Sequence, residues 1–176
     1  GHVGQPLPGV QVKRVSESGA EEVDPATPGE LAIRSPSVFR EYWGDPGATS
    51  AAFSDGWFLT GDIAVFEDGA YRILGRASID IIKSGGYKLS ALEIEATLLE
   101  HPSVSEAAVI GITDDEWGEI VAAAIVLDKP IEEAALIAWS RDKMSGYKVP
   151  RKWVVSDALP RNALGKVTKP ALRAWF

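Results

Sequence analysis

The chain has 176 residues, a formal net charge of −7 and 45% hydrophobic residues, which is typical of a soluble globular protein of one domain or two small ones. It has no cysteine, which excludes disulfides, thiolate metal sites and a cysteine nucleophile. Its two histidines are too few for a His-rich metal site, so we expect no metal ligands in this sequence. The acidic charge argues against nucleic acid and anionic lipid as partners, and no apolar run is long enough to span a membrane.

Residues 1–75 are predicted to be mainly β. Short segments alternate apolar and polar residues, the two-residue period of a half-buried strand. The strands are predicted at 10–15, 30–34, 63–66 and 71–74. Residues 16–28, rich in Ser, Glu, Gly, Asp and Pro, are predicted as a surface loop, and 46–53 as no more than a turn. Asp68-Gly69 between two apolar runs indicates a hairpin.

Residues 76–176 change to a mixed pattern, and the boundary is expected near 75–78. Ser90 and Glu93 form a capping box for a helix that Pro102 closes. Strands are predicted at 79–83, 104–112, 120–127 and 153–155, and helices at 90–101, 130–144 and 170–176. The order is roughly β-β-α-β-β-α-β-α. The fold class is therefore mixed, a mainly β segment followed by a small α+β domain.

Two side chains of the first segment are candidates for binding a nucleotide. Asp62 follows Gly56-Trp57-Phe58-Leu59-Thr60-Gly61, where it could simply cap a turn or could accept hydrogen bonds from two vicinal hydroxyls. Arg76 follows a glycine, and its guanidinium could form a structural ion pair or contact ribose and phosphate oxygens. On local grounds both alternatives stay open, and Ser78 reads as an ordinary loop residue.

Two further segments carry lysines beside glycines. Gly85-Gly86, after a strand, could form a hairpin turn or let an extended thiol-bearing arm lie against the main chain. Lys83 precedes this pair, and by itself it would be a solvated charge. Lys166 lies in a loop rich in Pro, Asn and Gly, where an ammonium is either a surface charge or a point charge brought to developing negative charge.

These segments together resemble the C-terminal part of an adenylate-forming enzyme, the family of AMP-forming acyl-CoA synthetases, luciferases and peptide-synthetase adenylation domains. Six ordered segments carry the resemblance, and together they are far more specific than any one alone. They are residues 4–10, 29–34, 42–46, 56–62, 75–88 and 160–166. The wording of 36–43 and 80–93 is most similar to the malonyl-CoA synthetases within that family.

The resemblance implies that residues 1–75 are the barrel-like end of the large adenylating domain and that residues 76–176 are a small α+β lid domain. It also implies a two-step reaction with ATP, Mg²⁺ and coenzyme A. A carboxylate, malonate or a similar acid, would form acyl-AMP, and the thiol of CoA would then displace AMP. Asp62 and Arg76 match the ribose and phosphate residues, and Lys166 matches the adenylation lysine. Gly85 and Gly86 match the pantetheine loop, and Lys83 a lysine of the second half-reaction.

Some expected parts of such an enzyme do not occur in this sequence. It has no Gly-rich, Ser/Thr-rich phosphate loop, so an N-terminal body and its Mg²⁺ ligands are expected elsewhere, and this part alone is expected to be inactive. The hinge position holds Ser78, where Asp or Lys is common in the family. Another acid–CoA ligase, a peptide-synthetase adenylation domain or a non-catalytic nucleotide- or CoA-binding module stays open. The expected compartment is the cytoplasm or an organellar matrix.

Overall fold

The computed structural model describes residues 2–22 and 24–176. Val23, inside the predicted loop 16–28, and Gly1 lie outside the described residues. The chain divides into two compact units, Gly1–Ser78 and Ile79–Phe176, called here the first and second units. No helix of the described residues is long and apolar enough to cross a membrane.

The first unit is one antiparallel sheet with a short helix. Its strands are β1 His2–Gly4, β2 Gln11–Val15, β3 Gly29–Arg34, β4 Phe53–Ser54, β5 Trp57–Glu67 and β6 Ala70–Arg76. Their order is β1-β6-β5-β3-β2, and β4 pairs with β5. Since β1 and β2 are the two ends of this order, the sheet does not close into a barrel among the described residues. The mixed fold class expected from the sequence is confirmed.

Local sequence signals account for the turns and ends of these elements. Asp68 and Gly69 join β5 to β6 with φ of 50° and 76°, the left-handed pair that a two-residue hairpin needs. Helix α1, Pro46–Ala52, begins where the Asp45 side chain accepts a hydrogen bond from Ala48 N at 2.8 Å. None of its residues is buried, so it has no apolar stripe by which to be recognised.

The loop 16–28 is organised by one buried arginine. Arg14 is 5% exposed and donates hydrogen bonds from its guanidinium to four backbone carbonyls of that loop. The acceptors are the carbonyl oxygens of Glu22, Asp24, Pro25 and Thr27. A planar group with five N–H donors can satisfy this many carbonyls at once, so the loop is attached to β2 rather than loose.

The second unit alternates strands and helices in the order predicted from the sequence. The strands are β7 Ile81–Ser84, β8 Tyr87–Ser90, β9 Val104–Asp114, β10 Gly118–Leu127 and β11 Lys152–Val155. The helices are α2 Ala91–Leu98, α3 Glu133–Lys143 and α4 Lys169–Leu172, which a 3₁₀ turn Arg173–Trp175 follows. The sheet order is β11-β10-β7-β8 with β9 on β10, and β11 is parallel to β10.

The long hairpin of β9 and β10 has both faces covered. Alternate residues point to opposite sides, so Val109 and Val121 join a cluster with α2 and α3, whereas Ala108 and Ala122 join one with Leu172 of α4. Both clusters are made of buried apolar side chains, which is the hydrophobic core expected for a domain of this size. The sheet therefore fixes the helices, and with them the loops that carry the candidate residues.

Of the capping box predicted at the start of α2, the structure has the hydrogen bond that the Ser90 side chain accepts. Ser90 Oγ accepts the hydrogen bond of Glu93 N at 3.2 Å. The Glu93 carboxylate instead accepts a hydrogen bond from Lys148 Nζ at 2.8 Å. The helix also ends at Leu98, before the predicted His101, because the chain turns there with Glu100 N and His101 N bonded to Thr97 O and Leu98 O.

Candidate functional site

Asp62 lies on an irregular part of β5. Glu30 of β3 faces Ile63, and Ala32 faces Leu59, so three residues of β5 stand opposite one residue of β3. This is a β-bulge, which bends a strand and redirects a side chain. Residues 60–62 therefore leave the ladder with β3, a feature that depends on two strands and has no local sequence signal beyond a glycine.

Hydrogen bonds hold the bulge in one shape. Thr60 Oγ1 donates to Leu31 O at 2.9 Å and accepts from Asp62 N at 3.1 Å. Gly61 N donates to the Glu30 carboxylate at 2.8 Å, and Gly61 has φ of 77°, which favours glycine. Both neighbours of Asp62 in the bulge are thus fixed, so its carboxylate is held in place before any ligand binds.

Asp62 and Arg76 are brought together, as ribose and phosphate residues would need to be. They face each other across β5 and β6, and Arg76 Nε lies 3.1 Å from Asp62 Oδ1. The Asp62 side chain is 30% exposed. A carboxylate has about four acceptor positions, so one contact with Arg76 leaves capacity for two vicinal hydroxyls. The residues present therefore fit a ribose.

Arg76 also packs closely on the bulge. Its Nη1 donates to Thr60 O at 2.5 Å, and a Cβ at Gly61 would lie 2.9 Å from the same nitrogen. Its φ therefore favours glycine at position 61, and a larger residue there would also displace the end of the Arg76 side chain. Ser78, two residues further, is exposed and is the last residue of the first unit.

Gly85 and Gly86 form the turn between β7 and β8, one of the two alternatives that the sequence left open. Their φ values are 55° and 83°, and Ser84 pairs with Tyr87 on either side. The two glycines differ in their surroundings. A Cβ at Gly85 would lie 2.8 Å from the Trp117 ring, whereas one at Gly86 would have no atom within 4 Å. The backbone at Gly86 is therefore open to approach.

Lys83 lies on the strand before this turn. It pairs in register with Lys88, so two ammonium-bearing residues occupy the same face of the hairpin. Lys83 N donates to the Glu119 carboxylate at 2.7 Å, which fixes the strand beside β10.

Lys166 is exposed at the tip of a loop that folds on itself, separate from the β7–β8 turn. Asn162 Oδ1 accepts hydrogen bonds from Leu164 N and Lys166 N, both at 3.0 Å. Asn162 N donates to Lys166 O at 2.9 Å. Gly165 takes φ of 78°, which closes the turn just before the lysine. The backbone that carries the ammonium is thus well defined although its side chain is exposed.

An arginine braces the same loop from one side. Arg161 Nη1 donates to Gly165 O at 2.7 Å, and its Nη2 lies 2.5 Å from the Glu106 carboxylate on β9. Arg161 also forms a backbone bridge with Val167. Sequence analysis did not select Arg161 or Asn162 as supports, although an Asn two residues before a Leu-Gly pair is a typical turn signal.

The described residues contain no group of three His, Asp or Glu side chains that could hold a metal ion.

A buried cluster of three charges, Asp80, Glu95 and Lys169, has no counterpart in the sequence analysis, because its members lie far apart in the chain. Nothing in the local sequence around any of them indicates that they meet.

Comparisons with known proteins find related sequences over nearly all of the chain. The profile described as AMP-binding enzyme C-terminal domain matches residues 93–166, and that described as AMP-binding enzyme matches residues 1–43. The mitochondrial malonate–CoA ligase of Bos taurus is 49% identical over 96% of this chain, and the malonate–CoA ligase of Arabidopsis thaliana is 49% identical over 98%.

Solved structures give the same result. The o-succinylbenzoate–CoA synthetase of Bacillus subtilis, in complex with its acyl-adenylate, matches 98% of this chain with a TM-score of 0.89 and 36% identity. The chain covers 35% of that structure and about a third of the curated relatives, 33% of the bovine one. Residues 93–166 are therefore an AMP-binding enzyme C-terminal domain, and the chain as a whole matches the C-terminal region of adenylate-forming enzymes.

Proposed function

We propose that this chain is the C-terminal part of an acid–CoA ligase that uses malonate. Such an enzyme joins a carboxylate to ATP with release of pyrophosphate, and the thiol of CoA then displaces AMP to give the acyl-CoA. The observation that carries this proposal is the 47–49% identity, over nearly all of the chain, to malonate–CoA ligases of mammals and a plant. The o-succinylbenzoate and amide-forming relatives are less similar, at 36% and 35% identity.

In this proposal residues 1–75 complete the large adenylating body and residues 76–176 form the lid domain, with Ser78 at the hinge. Asp62 holds the ribose hydroxyls and Arg76 lies beside it toward ribose and phosphate. Support comes from their pairing at 3.1 Å on a bulge that is fixed by hydrogen bonds. A preformed acceptor costs little reorganisation when the nucleotide binds, so the binding energy is available for orientation.

Lys166 supplies the charge for the first half-reaction. Negative charge develops where the carboxylate joins the α-phosphate, and an ammonium placed there stabilises the transition state more than the bound substrates. Its exposure at the tip of a braced loop supports this role, since the side chain can reach a ligand while its backbone stays fixed. A lysine buried in the core could not do so.

Coenzyme A is proposed to pass over the β7–β8 turn in the second half-reaction. The open space above Gly86 would admit the pantetheine arm against the backbone, and Gly85 would keep Trp117 packed under the turn. Lys83, beside Lys88 on the same face, would meet the anionic acyl-AMP or CoA.

The remaining components are assigned to the part of the enzyme outside this chain. ATP would contact that part as well as Asp62, and Mg²⁺, which neutralises phosphate charge, would take its ligands there. The pocket that selects the carboxylate would also lie there. The bovine relative is described as mitochondrial, which supports an organellar matrix or the cytoplasm as the compartment. Alone, the chain is expected to be inactive.

The test is to measure the two half-reactions separately in the full-length enzyme. Lys166→Ala should lower acyl-AMP formation from malonate and ATP by roughly a hundred- to a thousandfold, the usual effect of removing one such charge or donor. The rate from preformed malonyl-AMP and CoA should change less than about threefold. Lys129→Ala, an exposed lysine between β10 and α3, is the control and should change neither rate.

Two outcomes would contradict the proposal. Equal loss of both half-reactions in Lys166→Ala would remove the assigned role of Lys166. A wild-type enzyme that activates o-succinylbenzoate or an amino acid with a higher kcat/KM than malonate would replace malonate as the substrate.

A further inference from the structure

Three charged side chains meet inside the second unit. Lys169 Nζ lies 2.6 Å from Asp80 Oδ1 and 2.7 Å from Glu95 Oε1. Their side chains are only 11%, 12% and 13% exposed, respectively. This cluster of two carboxylates and one ammonium, called here the buried triad, has no place in the reaction described above.

The triad joins four separate segments. Asp80 precedes β7, and its backbone oxygen accepts a hydrogen bond from Ala91 N, the first residue of α2, at 2.7 Å. Glu95 lies on α2 and accepts a hydrogen bond from Val109 N of β9 at 2.7 Å. Lys169 is the first residue of α4. The ammonium is therefore the point where the start of the unit, α2, β9 and α4 are held together.

Such a cluster is costly to keep in a protein interior. Removing a charged group from water costs several kcal/mol, and burial is the main cause that raises the pKa of the Glu95 carboxyl, against the opposing effect of Lys169. Apolar side chains of similar size would join the same segments at lower cost. The charged side chains, unlike apolar ones, hold the Lys169 ammonium at one position between two carboxylates.

Lys169 is directly connected to the loop that carries Lys166. Thr168 N donates to Pro160 O at 2.7 Å, which closes the base of this loop immediately before Lys169. The next pair along the two limbs of the loop is the bridge of Arg161 with Val167. The pair after that is joined by the hydrogen bond from Asn162 N to Lys166 O. A shift of Lys169 is therefore passed through a closed ladder to Lys166.

At the other end of the link, Asp80 is the second residue of the second unit, directly after the boundary between Ser78 and Ile79. The chain enters the unit at this point. One ion pair thus joins the entering segment to the base of the Lys166 loop, although 89 residues separate Asp80 from Lys169.

We propose that Lys169 and Asp80 are positioning residues for the adenylation step: their ion pair fixes the Lys166 loop relative to the segment that enters the second unit. The inference rests on the function proposed above. When the unit moves at its hinge, the Lys166 ammonium moves with the entering segment as one rigid piece. Glu95 holds the pair in place from α2 but does not itself join these two segments.

The stoichiometry of the triad offers a matched pair of variants. Asp80→Asn and Glu95→Gln each remove one negative charge from a buried carboxylate of nearly equal exposure, and each leaves one carboxylate for Lys169. Only Asp80→Asn weakens the link to the entering segment. The two variants should therefore change the stability of the fold by similar amounts. They differ in whether the ion pair between Lys169 and Asp80 is weakened.

In the full-length enzyme, Asp80→Asn should slow acyl-AMP formation by about ten- to a hundredfold, since a displacement of about 1 Å has effects of that size. Its thioester formation from preformed acyl-AMP should stay within about twofold of the wild type. Glu95→Gln should leave the ratio of the two rates within about threefold of the wild type. The KM for ATP should stay unchanged in both variants, because neither residue contacts the nucleotide in this proposal.

Equal losses of both half-reactions in Asp80→Asn, or the same change of ratio in Glu95→Gln, would overturn the inference. If Asp80→Asn does not fold, Asp80→Glu decides, because it keeps the charge but displaces Lys169 by one methylene; an unchanged ratio there would overturn the inference too. A wild-type enzyme that lacks both half-reactions would instead overturn the proposed function, and the positioning role with it.

Discussion

Asp62 and Arg76 face each other across the β5–β6 hairpin, and their side chains form an ion pair of 3.1 Å between Nε and Oδ1. The pair is solvent-accessible, with side chains 30% and 56% exposed. An ion pair of this exposure contributes little to stability, about 1 kcal/mol or less. Three further hydrogen bonds hold the bulge that carries Asp62, and the role proposed for the pair is to bind the nucleotide and not to stabilise the fold.

Asp62→Asn is therefore expected to weaken nucleotide binding with little effect on stability. A hydrogen bond from a ligand hydroxyl to a carboxylate is worth about 1.5–3 kcal/mol, so the KM for ATP should rise by roughly ten- to a hundredfold. Thermal unfolding of the variant should stay within about two degrees of the wild type. Steady-state kinetics of the full-length enzyme and a thermal melt check both parts.

The same hairpin offers the control. Glu67 and Arg72 form an ion pair of 2.7 Å, and the hydrogen bond from Arg72 holds the pKa of the Glu67 carboxyl below its ordinary value. Glu67→Gln removes an acid–arginine pair of similar exposure at the far end of the hairpin. It should leave the KM for ATP unchanged; an equal rise in both variants would mean that Asp62 acts through the hairpin and not on the nucleotide.

The fold was largely predictable where the signals are local. The Asp68-Gly69 turn and the alternating strands of residues 10–15 and 30–34 follow from neighbouring residues alone, and the structure has them. Helix α1 was predicted only as a turn, because it is short and has no buried residue. Strand β8, Tyr87–Ser90, has no separate sequence signal, because it follows directly on the glycine turn and has only four residues.

The sequence indicates candidate residues for the site but not how they are arranged. Asp62, Arg76 and Lys166 were selected by resemblance, whereas the bulge that presents Asp62 requires the register of β3 against β5. The contact of Trp117 with Gly85 and the buried triad join residues far apart in the chain. Such contacts arise only when the sheet is assembled, so no local pattern carries them.

The two glycines of the β7–β8 turn should respond differently to alanine. Gly86→Ala places a side chain in a left-handed conformation, which costs about 1–2 kcal/mol, and meets no atom within 4 Å. Gly85→Ala has the same backbone cost and also forces the Trp117 ring away, which should cost a further ~1–3 kcal/mol of unfolding free energy. Thermal or urea unfolding should therefore rank Gly85→Ala as the less stable variant.

The same pair tests the proposed path of coenzyme A. The methyl group of Gly86→Ala would stand in the open space above the turn, so the KM for CoA should rise while acyl-AMP formation stays near the wild-type rate. If the KM for CoA is unchanged in Gly86→Ala, the turn is only a hairpin connection and the thiol approaches elsewhere.

Arg14→Met should destabilise the first unit more than any nearby surface change. The substitution keeps an apolar stem but removes the donors of four carbonyls in the loop 16–28, and unpaired groups of this kind cost about 1–3 kcal/mol each before the loop relaxes. We expect a loss of about 2–4 kcal/mol in unfolding free energy and rapid proteolysis within the loop.

Lys13→Met, at the adjacent position, is the comparison for that measurement. The Lys13 ammonium lies 4.6 Å from the centre of the Trp57 ring, a contact worth about 0.5–1 kcal/mol at an exposed site. It should therefore lose less than about 1 kcal/mol and keep the loop resistant to protease. Similar losses in the two variants would mean that the carbonyls of the loop find other donors.

The buried triad predicts a pH dependence that Glu95→Gln should abolish. Burial is the largest cause that raises the pKa of Glu95 above its ordinary 4.5, although Lys169 and the hydrogen bond from Val109 N oppose it. The folded protein therefore holds the Glu95 proton more tightly than the unfolded chain. The contribution of Glu95 to the unfolding free energy must fall as pH rises from the ordinary pKa through the raised one. Urea titrations of the wild type and Glu95→Gln at several pH values from about 4 to about 7 should show the variant gaining relative stability as pH rises. A constant difference would show that Lys169 cancels the effect of burial at this carboxyl, and a change in the opposite direction would show that Lys169 outweighs it.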